Sequence, residues 1–362
     1  MIKLAFLGDI CPGGVLHGSA SSCISAEVAE YLKGFDVRIG TLESALGKDY
    51  PFDQMKMAKW GNVIYAEDDD IRRLKELDIN IVSLANNHVT DLGLDGLIHT
   101  IDVLDRNGVR HFGAGRNIEE AESPAIVELR GIRIALIGFY DTTIAPHPAS
   151  IEAPGLCTSE NIVSIIDEAK RGNDYALVVP HWGFEYMMRP LPRDKRFATK
   201  LIAAGADAVI GSHTHQVQPV VVYKKRPVFF SLGNFLFPDF FQQPPCPIWY
   251  PDPSVDLTSI PSVSEYVCDH RRHVKYVWKH AFRIGLIASL NISDRIEAAY
   301  RLTYLDEQNT IRFLSREKNY RLALSALGLM IRSPLYSPFF FLSECFFFMK
   351  RRLIPRQNQK SL

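Results

Sequence analysis

Ser83-Leu-Ala-Asn-Asn-His-Val-Thr-Asp91 lies between two segments of different periodicity. Before it, Asp78-Ile-Asn-Ile-Val82 is a short β-branched run that reads as a buried strand. After it, Leu92–Leu104 carries apolar residues at helical spacing. Asn86, Asn87 and His88 therefore fall where a strand ends and a helix is about to begin. In open α/β sheets that carboxyl edge is where ligands bind. Two amides and an imidazole in a row make poor core, because each needs a polar partner when buried. The plainer alternative is an Asn-rich turn with Asp91 as a helix cap.

The same pattern recurs on both sides of this stretch. Ile2–Leu7 reads as an apolar strand closed by Gly8-Asp9, and Phe35–Gly40 as a strand followed by Glu43. Ala26–Lys33, Asp68–Leu77 and Leu94–Asn107 read as helices, the last stopped by Gly108. Ala125–Glu128 and Ile132–Phe139 form a hairpin pattern around Arg130-Gly131. Ser159–Arg171 reads as an amphipathic helix with Ser159 as its cap. Tyr175–Pro180 is a buried strand that ends in His181-Trp-Gly-Phe-Glu185. Arg193–Ala204 reads as a helix, and Ala206–Ile210 as a strand closed by Gly211-Ser-His213-Thr-His215. Two histidines at i, i+2 in a loop can aim both imidazoles at one site or at two neighbouring metals. Val217–Val222 and Pro227–Ser231 read as paired strands, and Leu232-Gly-Asn234-Phe as a further strand end. Phe282–Leu290 and Glu297–Thr303 read as a closing antiparallel pair.

Each of these polar residues has an ordinary explanation as a turn, cap or core group. Together, Asp9, Glu43, Asn87, His88, His181, His213 and His215 at successive strand ends form a mixed N/O donor set without thiolate. That set suits Mn²⁺, Fe²⁺ or Zn²⁺.

The 362 residues are enough for one large domain or two ordinary ones, and the net charge is zero. The chain therefore carries no global nucleic-acid footprint. The six cysteines form no C-x-x-C pair, which argues against a zinc ribbon and favours scattered free thiols. The glycines of Gly113-Ala-Gly-Arg116 lack dinucleotide spacing, and none follows the first strand in that pattern. A nicotinamide-dependent enzyme is disfavoured on that ground. Met1–Asp9 runs straight into a strand, with no apolar stretch of signal-peptide length. The expected location is cytoplasmic.

Two regions depart from this pattern. Residues 238–280 are rich in Pro and aromatics and lack periodicity, and read as a flap-like insertion. From Thr310 onward ten Lys/Arg face only Glu317 and Glu344. Arg312–Ile331 reads as a basic helix. Ser333–Met349 holds six phenylalanines, but two prolines and Glu344 break it below the length of a membrane span. A basic, Phe-rich tail fits an element lying at the inner membrane face or docked on a partner.

The ordered set Gly-Asp9, Glu43, Asn-Asn-His88-x-x-Asp91-x-Gly93, His181-Trp-Gly-x-Glu185, Gly-x-His213-x-His215 and Leu-Gly-Asn234-Phe resembles the CapA family of capsule or poly-γ-glutamate biosynthesis proteins. The resemblance covers roughly residues 1–305 as one domain, with residues 306–362 as a separate helical tail. It implies a four-layer α/β/β/α sandwich of the metallophosphoesterase type, similar to calcineurin-like enzymes. It further implies that Glu43 bridges two metals. Asp9 and His215 would complete one, and Asn87, His181 and His213 the other. His88 would be the general acid, with Asp91 and Glu185 orienting His88 and His181. Two departures stand out: Cys11 occupies the position of a usual metal-binding His on the first strand, and Glu43 that of a bridging Asp. The first metal thus has fewer ligands.

Two functions follow. One is a metal-dependent hydrolase of exopolymer production, cutting a phosphoester or amide bond with a hydroxide held by divalent ions. The other is a non-catalytic metal-binding protein that guides an anionic polymer at the membrane beside other capsule-biosynthesis proteins.

Overall fold

Why the chain alternates short apolar runs with helices is plain in the computed structural model, which describes residues 1–47, 63–141, 147–243, 248–251, 254–264 and 272–342. Two sheets form the centre. In the first, strands Ile2–Ile10, Val37–Leu42, Ile81–Ser83 and Arg110–Phe112 run parallel and neighbour one another in that order. Antiparallel strands Ile284–Ile292, Ile296–Leu305 and Ile311–Phe313 extend its other side. In the second, parallel strands Ile132–Asp141, Tyr175–Trp182, Ala208–Ile210 and Arg226–Phe229 are flanked by Ala125–Leu129 and Val220–Tyr223.

The period-2 geometry of the strands builds the layers. Ile2, Leu4 and Phe6 point between the sheets, where they meet Leu136, Leu177 and Ile210. Their neighbours Ala5 and Leu7 face the helix layer with Val28, Leu97 and Ile101. On the far side, Ala135, Ile137 and Val178 face Ile166, Leu201 and Ile202 of helices Ile162–Gly172 and Pro192–Ala203. The order is helix, sheet, sheet, helix. Both faces of each central strand are buried, so these strands read as nearly unbroken apolar runs.

Local signals hold where the chemistry is backbone-encoded. Helix Ala26–Lys33 is capped by Ser25, whose hydroxyl accepts from the Val28 N–H. Helix Gly93–Arg106 stops at Gly108, at φ +69°. Arg130 and Gly131 both take positive φ, which turns the Ala125–Leu129/Ile132–Asp141 hairpin tightly.

Four local expectations change. The helix expected from Arg312 begins at Glu317, because Ile311–Phe313 pairs as a strand with Ile296–Leu305. Asn161, not Ser159, precedes helix Ile162–Gly172, because the Ser159 hydroxyl is bonded to Asp141 Oδ1 at 3.0 Å. Asn234 opens rather than ends a strand: Asn234–Leu236 pairs parallel with Ile2–Ile10. The region 238–280 carries structure. Its described residues form a four-stranded sheet of Ile248–Trp249, Phe240–Gln242, Val274–Tyr276 and Ser262–Val263. Strands of two or three residues are too short to show a period. In the tail, helix Glu317–Arg332 packs Leu324, Gly328 and Ile331 inward, and Gly328 lies against Val220 and Pro219. Residues 343–362 of the tail lie outside the described residues. No helix among the described residues is long and apolar enough to cross a membrane.

Candidate metal centre

The carboxyl ends of the parallel strands of both sheets meet at one place, and the sequence supplies the means of holding polar side chains there. Asp9 lies level with Thr41 on one neighbouring strand and Asn234 on the other. The register slips on both sides of it, an irregularity that re-aims a side chain. The close approach behind Asp9 needs glycine. A Cβ on Gly8 would lie 1.9 Å from Gly233 O, while the Asp9 N–H donates to that same oxygen at 3.0 Å.

Glu43 follows directly on Val37–Leu42, and its N–H donates to Ile10 O at 2.8 Å. In the Asn-Asn-His turn, Asn86 does the structural work. Its Oδ1 accepts from the N–H groups of His88 and Val89, and its Nδ2 donates to Leu42 O at 2.8 Å. Asn87 and His88 are thereby turned toward the centre. His213 and His215 sit at φ 93° and 52°, conformations that cost side-chain-bearing residues free energy. Backbone strain at two candidate ligands in one loop is a sign that their placement matters more than local comfort.

The donor atoms converge in two groups that share Glu43. In the first, His181 Nε2 lies 2.8 Å from Asn87 Oδ1, 3.0 Å from His213 Nδ1 and 3.4 Å from Glu43 Oε1. Ligands held about 2.1 Å from a single ion in tetrahedral array are about 3.4 Å apart. The first group is close to that size, and its lone pairs repel unless a cation or proton lies between them. His181 Nδ1 is engaged by Ser212 Oγ at 2.9 Å, which leaves Nε2 as the nitrogen that faces the group.

The second group is Asp9, Glu43 and His215. It is looser. His215 Nε2 is 3.8 Å from Glu43 Oε1. His215 Nδ1–H donates to Asn234 Oδ1 at 2.8 Å, and Asn234 is itself anchored to Phe282 O. The His215 ring is walled by Tyr186, Phe237 and Trp278, with centroids 5.8, 5.3 and 5.4 Å away. Cys11 does not join it. Its side chain belongs to an apolar cluster with Ala45, Tyr65 and Phe237, and burial pushes its thiol up to about 12.

These residues fit divalent cations on a direct test. Asp9 Oδ1 and both Glu43 carboxylate oxygens are buried and accept no hydrogen bond from the protein. An unsatisfied buried charge costs several kcal/mol, roughly 3–5, so the fold would not retain it without a counter-charge. Burial, reinforced by Glu43, raises the Asp9 carboxyl well above its ordinary range. Burial raises Glu43 as well. In the ion-free protein a proton shared between the two carboxyls is the alternative to a cation. Burial lowers His181 and His213 well below the ordinary imidazole range, so both are neutral ligands. Burial also pulls on His215, but Glu43 and Asp9 outweigh it and raise that imidazole.

His88 and Asp91 are brought to the same place. His88 Nδ1 meets Asp91 Oδ2 at 2.6 Å, and that oxygen also accepts from the Ile64 N–H at 2.7 Å. Asp91 therefore orients His88 rather than capping the following helix, whose N-cap position is Leu92. Glu185 is exposed at the rim, where its charge acts on His213 and His215. The expected Glu185 hold on His181 is taken by Ser212. Sequence reasoning missed Ser212 and the role of Asn234. Their only local signal is position: Ser212 sits between Gly211 and His213, and Asn234 follows Gly233.

Comparisons with known proteins identify the family. The family described as bacterial capsule synthesis protein PGA_cap matches residues 3–239. The capsule biosynthesis protein CapA of Bacillus anthracis is 31% identical over 247 residues, covering 65% of this chain and 60% of that protein. The PGA biosynthesis protein CapA of Bacillus subtilis strain 168 is 28% identical over 246 residues, covering 66% and 63%. The chain thus spans about three-fifths of the length of these relatives. Among solved structures, a putative 5′-nucleotidase from Staphylococcus aureus aligns at a TM-score of 0.48 and 15% identity, covering 90% of this chain and 58% of that one. By the extent of the family match over the domain that carries the ligand groups, this chain belongs to the bacterial capsule synthesis PGA_cap family.

Proposed function

We propose that the chain is a metal-dependent hydrolase of capsule or exopolymer biosynthesis, acting on a phosphoester or amide bond of an anionic, poly-γ-glutamate-type substrate. The observation that carries this reading is the pair of converging donor groups around Glu43, with its two buried carboxylate oxygens unsatisfied by the protein. Glu43, Asn87, His181 and His213 would hold one ion, and Asp9, Glu43 and His215 the other. Mn²⁺, Fe²⁺ or Zn²⁺ suits the set. When bound, such ions supply Lewis acidity: they lower the pKa of water and neutralise charge on the attacked group.

The chain's own residues do the rest. Asp91 holds His88 Nδ1–H, which makes Nε2 the nitrogen that exchanges a proton with the leaving group. Ser212 and Asn234 fix the tautomers of His181 and His215. Buried walls around His215 exclude water from that side. The relatives' names place them in capsule and PGA biosynthesis, and that context is carried over here as part of the proposal. The protein would work at the inner membrane face, attached peripherally by its basic tail.

A second reading is favoured by one observation, Cys11 in an apolar cluster instead of a ligand position. On that reading the second group stays empty and the protein binds or guides polymer without cutting it. Metal analysis of chelator-free protein, with hydrolysis of a phosphodiester and of a γ-glutamyl amide measured in parallel, separates them. Turnover with about two ions per chain supports the hydrolase. Turnover of neither bond by ion-loaded protein overturns it.

A further inference from the structure

Large apolar side chains exposed to solvent are few, and they are not spread evenly. Thirteen are exposed among the described residues. Seven of them lie on two segments distant in sequence: Phe184, Tyr186 and Met188 at the rim of the metal centre, and Leu335, Phe339, Phe341 and Leu342 beyond helix Glu317–Arg332. Met188 is 49% exposed, Leu335 71% and Leu342 72%. Scattered apolar residues need no explanation, whereas contiguous ones mark a docking surface.

The two segments are joined. Buried Tyr336 donates its hydroxyl hydrogen to Pro190 O at 2.5 Å. The Arg189 guanidinium lies 5.2 Å from the Phe340 ring centroid. Lys195 Nζ donates to Ser333 O at 3.0 Å and lies over the Tyr336 ring. Tyr336 and Phe340 thus pin the terminal segment to the loop that follows His181, and their neighbours in sequence point outward.

The charge of this surface is predominantly positive, with Glu185, exposed on the 184–188 loop, as the acid among its basic residues. Residues 186–203 contain Arg189, Arg193, Lys195, Arg196 and Lys200 against a single acid, Asp194. Asp194 is buried and accepts from the Leu191 N–H. Residues 317–342 contain Lys318, Arg321 and Arg332 against Glu317 alone, which is paired with Arg301 and Arg321. Exposed Phe, Leu and Met beside exposed Arg196, Lys200 and Arg332 is the composition of an interface with anionic lipid.

The loop also reaches the chemistry. Tyr186 N–H donates to Thr214 O at 2.7 Å between the two metal-group histidines, and its ring packs against His215. One loop therefore has an inner side on the ligand shell and an outer side bearing Phe184 and Met188.

We infer that the 184–188 loop and the 333–342 segment together form one face that lies on an anionic lipid bilayer, so that the rim of the metal centre is held at the membrane surface. The occupant is the bilayer, on the strength of charge complementarity. This goes beyond attachment by the tail alone, because the rim of the site becomes part of the contact. That the site then acts on a membrane-tethered substrate rests on the hydrolase reading above. Vesicle binding is read without turnover, so the two ideas fail separately.

The test uses the full chain with vesicles of phosphatidylcholine alone and of phosphatidylcholine mixed with phosphatidylglycerol, read by co-flotation. The face predicts binding to the anionic vesicles and its weakening by salt. Met188→Glu and Phe339→Glu should each lower partitioning by about tenfold, and Ile151→Glu, at an exposed apolar residue on another segment, should not. All three side chains are exposed, and unchanged thermal unfolding verifies that the variants fold. No binding to anionic vesicles overturns the inference, as does self-association in their place. A loss with Phe339→Glu but none with Met188→Glu would confine docking to the tail and also overturn it.

Discussion

The two donor groups around Glu43 are built from the same materials to different tolerances. In the His181 group, three donor atoms stand 2.8–3.4 Å from His181 Nε2, and four residues contribute. In the His215 group, His215 Nε2 stands 3.8 Å from Glu43 Oε1 and three residues contribute. The tight group draws its ligands from four strand ends across both sheets, and its central imidazole is held at Nδ1 by Ser212. The loose group lacks a ligand from Cys11, whose thiol is turned into apolar packing. A preformed cluster of lone pairs binds its ion with little rearrangement, and a looser one must contract. The account therefore assigns a tightly held ion to the first group and a weaker one to the second.

The largest effect should come from the residue that the groups share. Glu43→Ala removes a ligand from both, and metal analysis should find both ions lost and hydrolysis abolished. Retention of two ions in that variant would break the comparison at its base. Next comes His88→Ala, which touches neither group's ligand set. Hydrolysis should fall by about 10²- to 10⁴-fold while metal content stays unchanged. Loss of metal in this variant would move His88 from proton exchange into the ligand shell.

The neighbours of the ligands should sharpen the contrast. Ser212→Ala releases His181 Nδ1 and should weaken the tight ion by about 10- to 100-fold. Asn234→Ala releases His215 Nδ1 and should weaken only the loose ion, by a similar factor of about 10 to 100. Competition with a chelator of known affinity reads both. If either variant weakened both ions equally, the groups would not be separable.

How these two residues escaped the sequence reading is instructive. Asp9, Glu43, Asn87, His88, His181, His213 and His215 were legible because each follows an apolar run, and the topology gathers such positions at one edge. Ser212 lies in the same loop, but a serine beside a glycine is the commonest of turn residues. Its importance comes from the His181 ring 31 positions earlier, a contact that no local pattern encodes. Glu185 shows the converse. The family resemblance implied a partner for His181, yet Gly183, at φ +89°, turns the chain outward and leaves Glu185 at the rim. The layers were expected from the family resemblance, while the run lengths of the strands showed only that they are buried. The small sheet within 238–280 was not, since its strands are held by aromatic packing such as Phe240 on Tyr276 rather than by periodicity.

The smallest effect is one of pH. His181 and His213 are already neutral, because burial holds them low. His215 is raised, so in the ion-free protein it keeps its proton to higher pH and must release it to bind an ion. Protons therefore compete with the loose ion first. Lowering the pH from about 8 to about 6 should release the second ion before the first. Simultaneous release would mean that the two ions are held as one unit through Glu43.

The most direct measurement is metal content by mass spectrometry on protein purified without chelator, followed through stepwise dialysis against increasing chelator. The account predicts close to two transition ions per chain, lost in two steps, with His215→Ala abolishing the first step and His213→Ala stripping the ion released in the second. Protein that holds no ion when offered Mn²⁺, Fe²⁺ or Zn²⁺ would contradict it, and would leave the buried Asp9 and Glu43 carboxyls to share a proton instead.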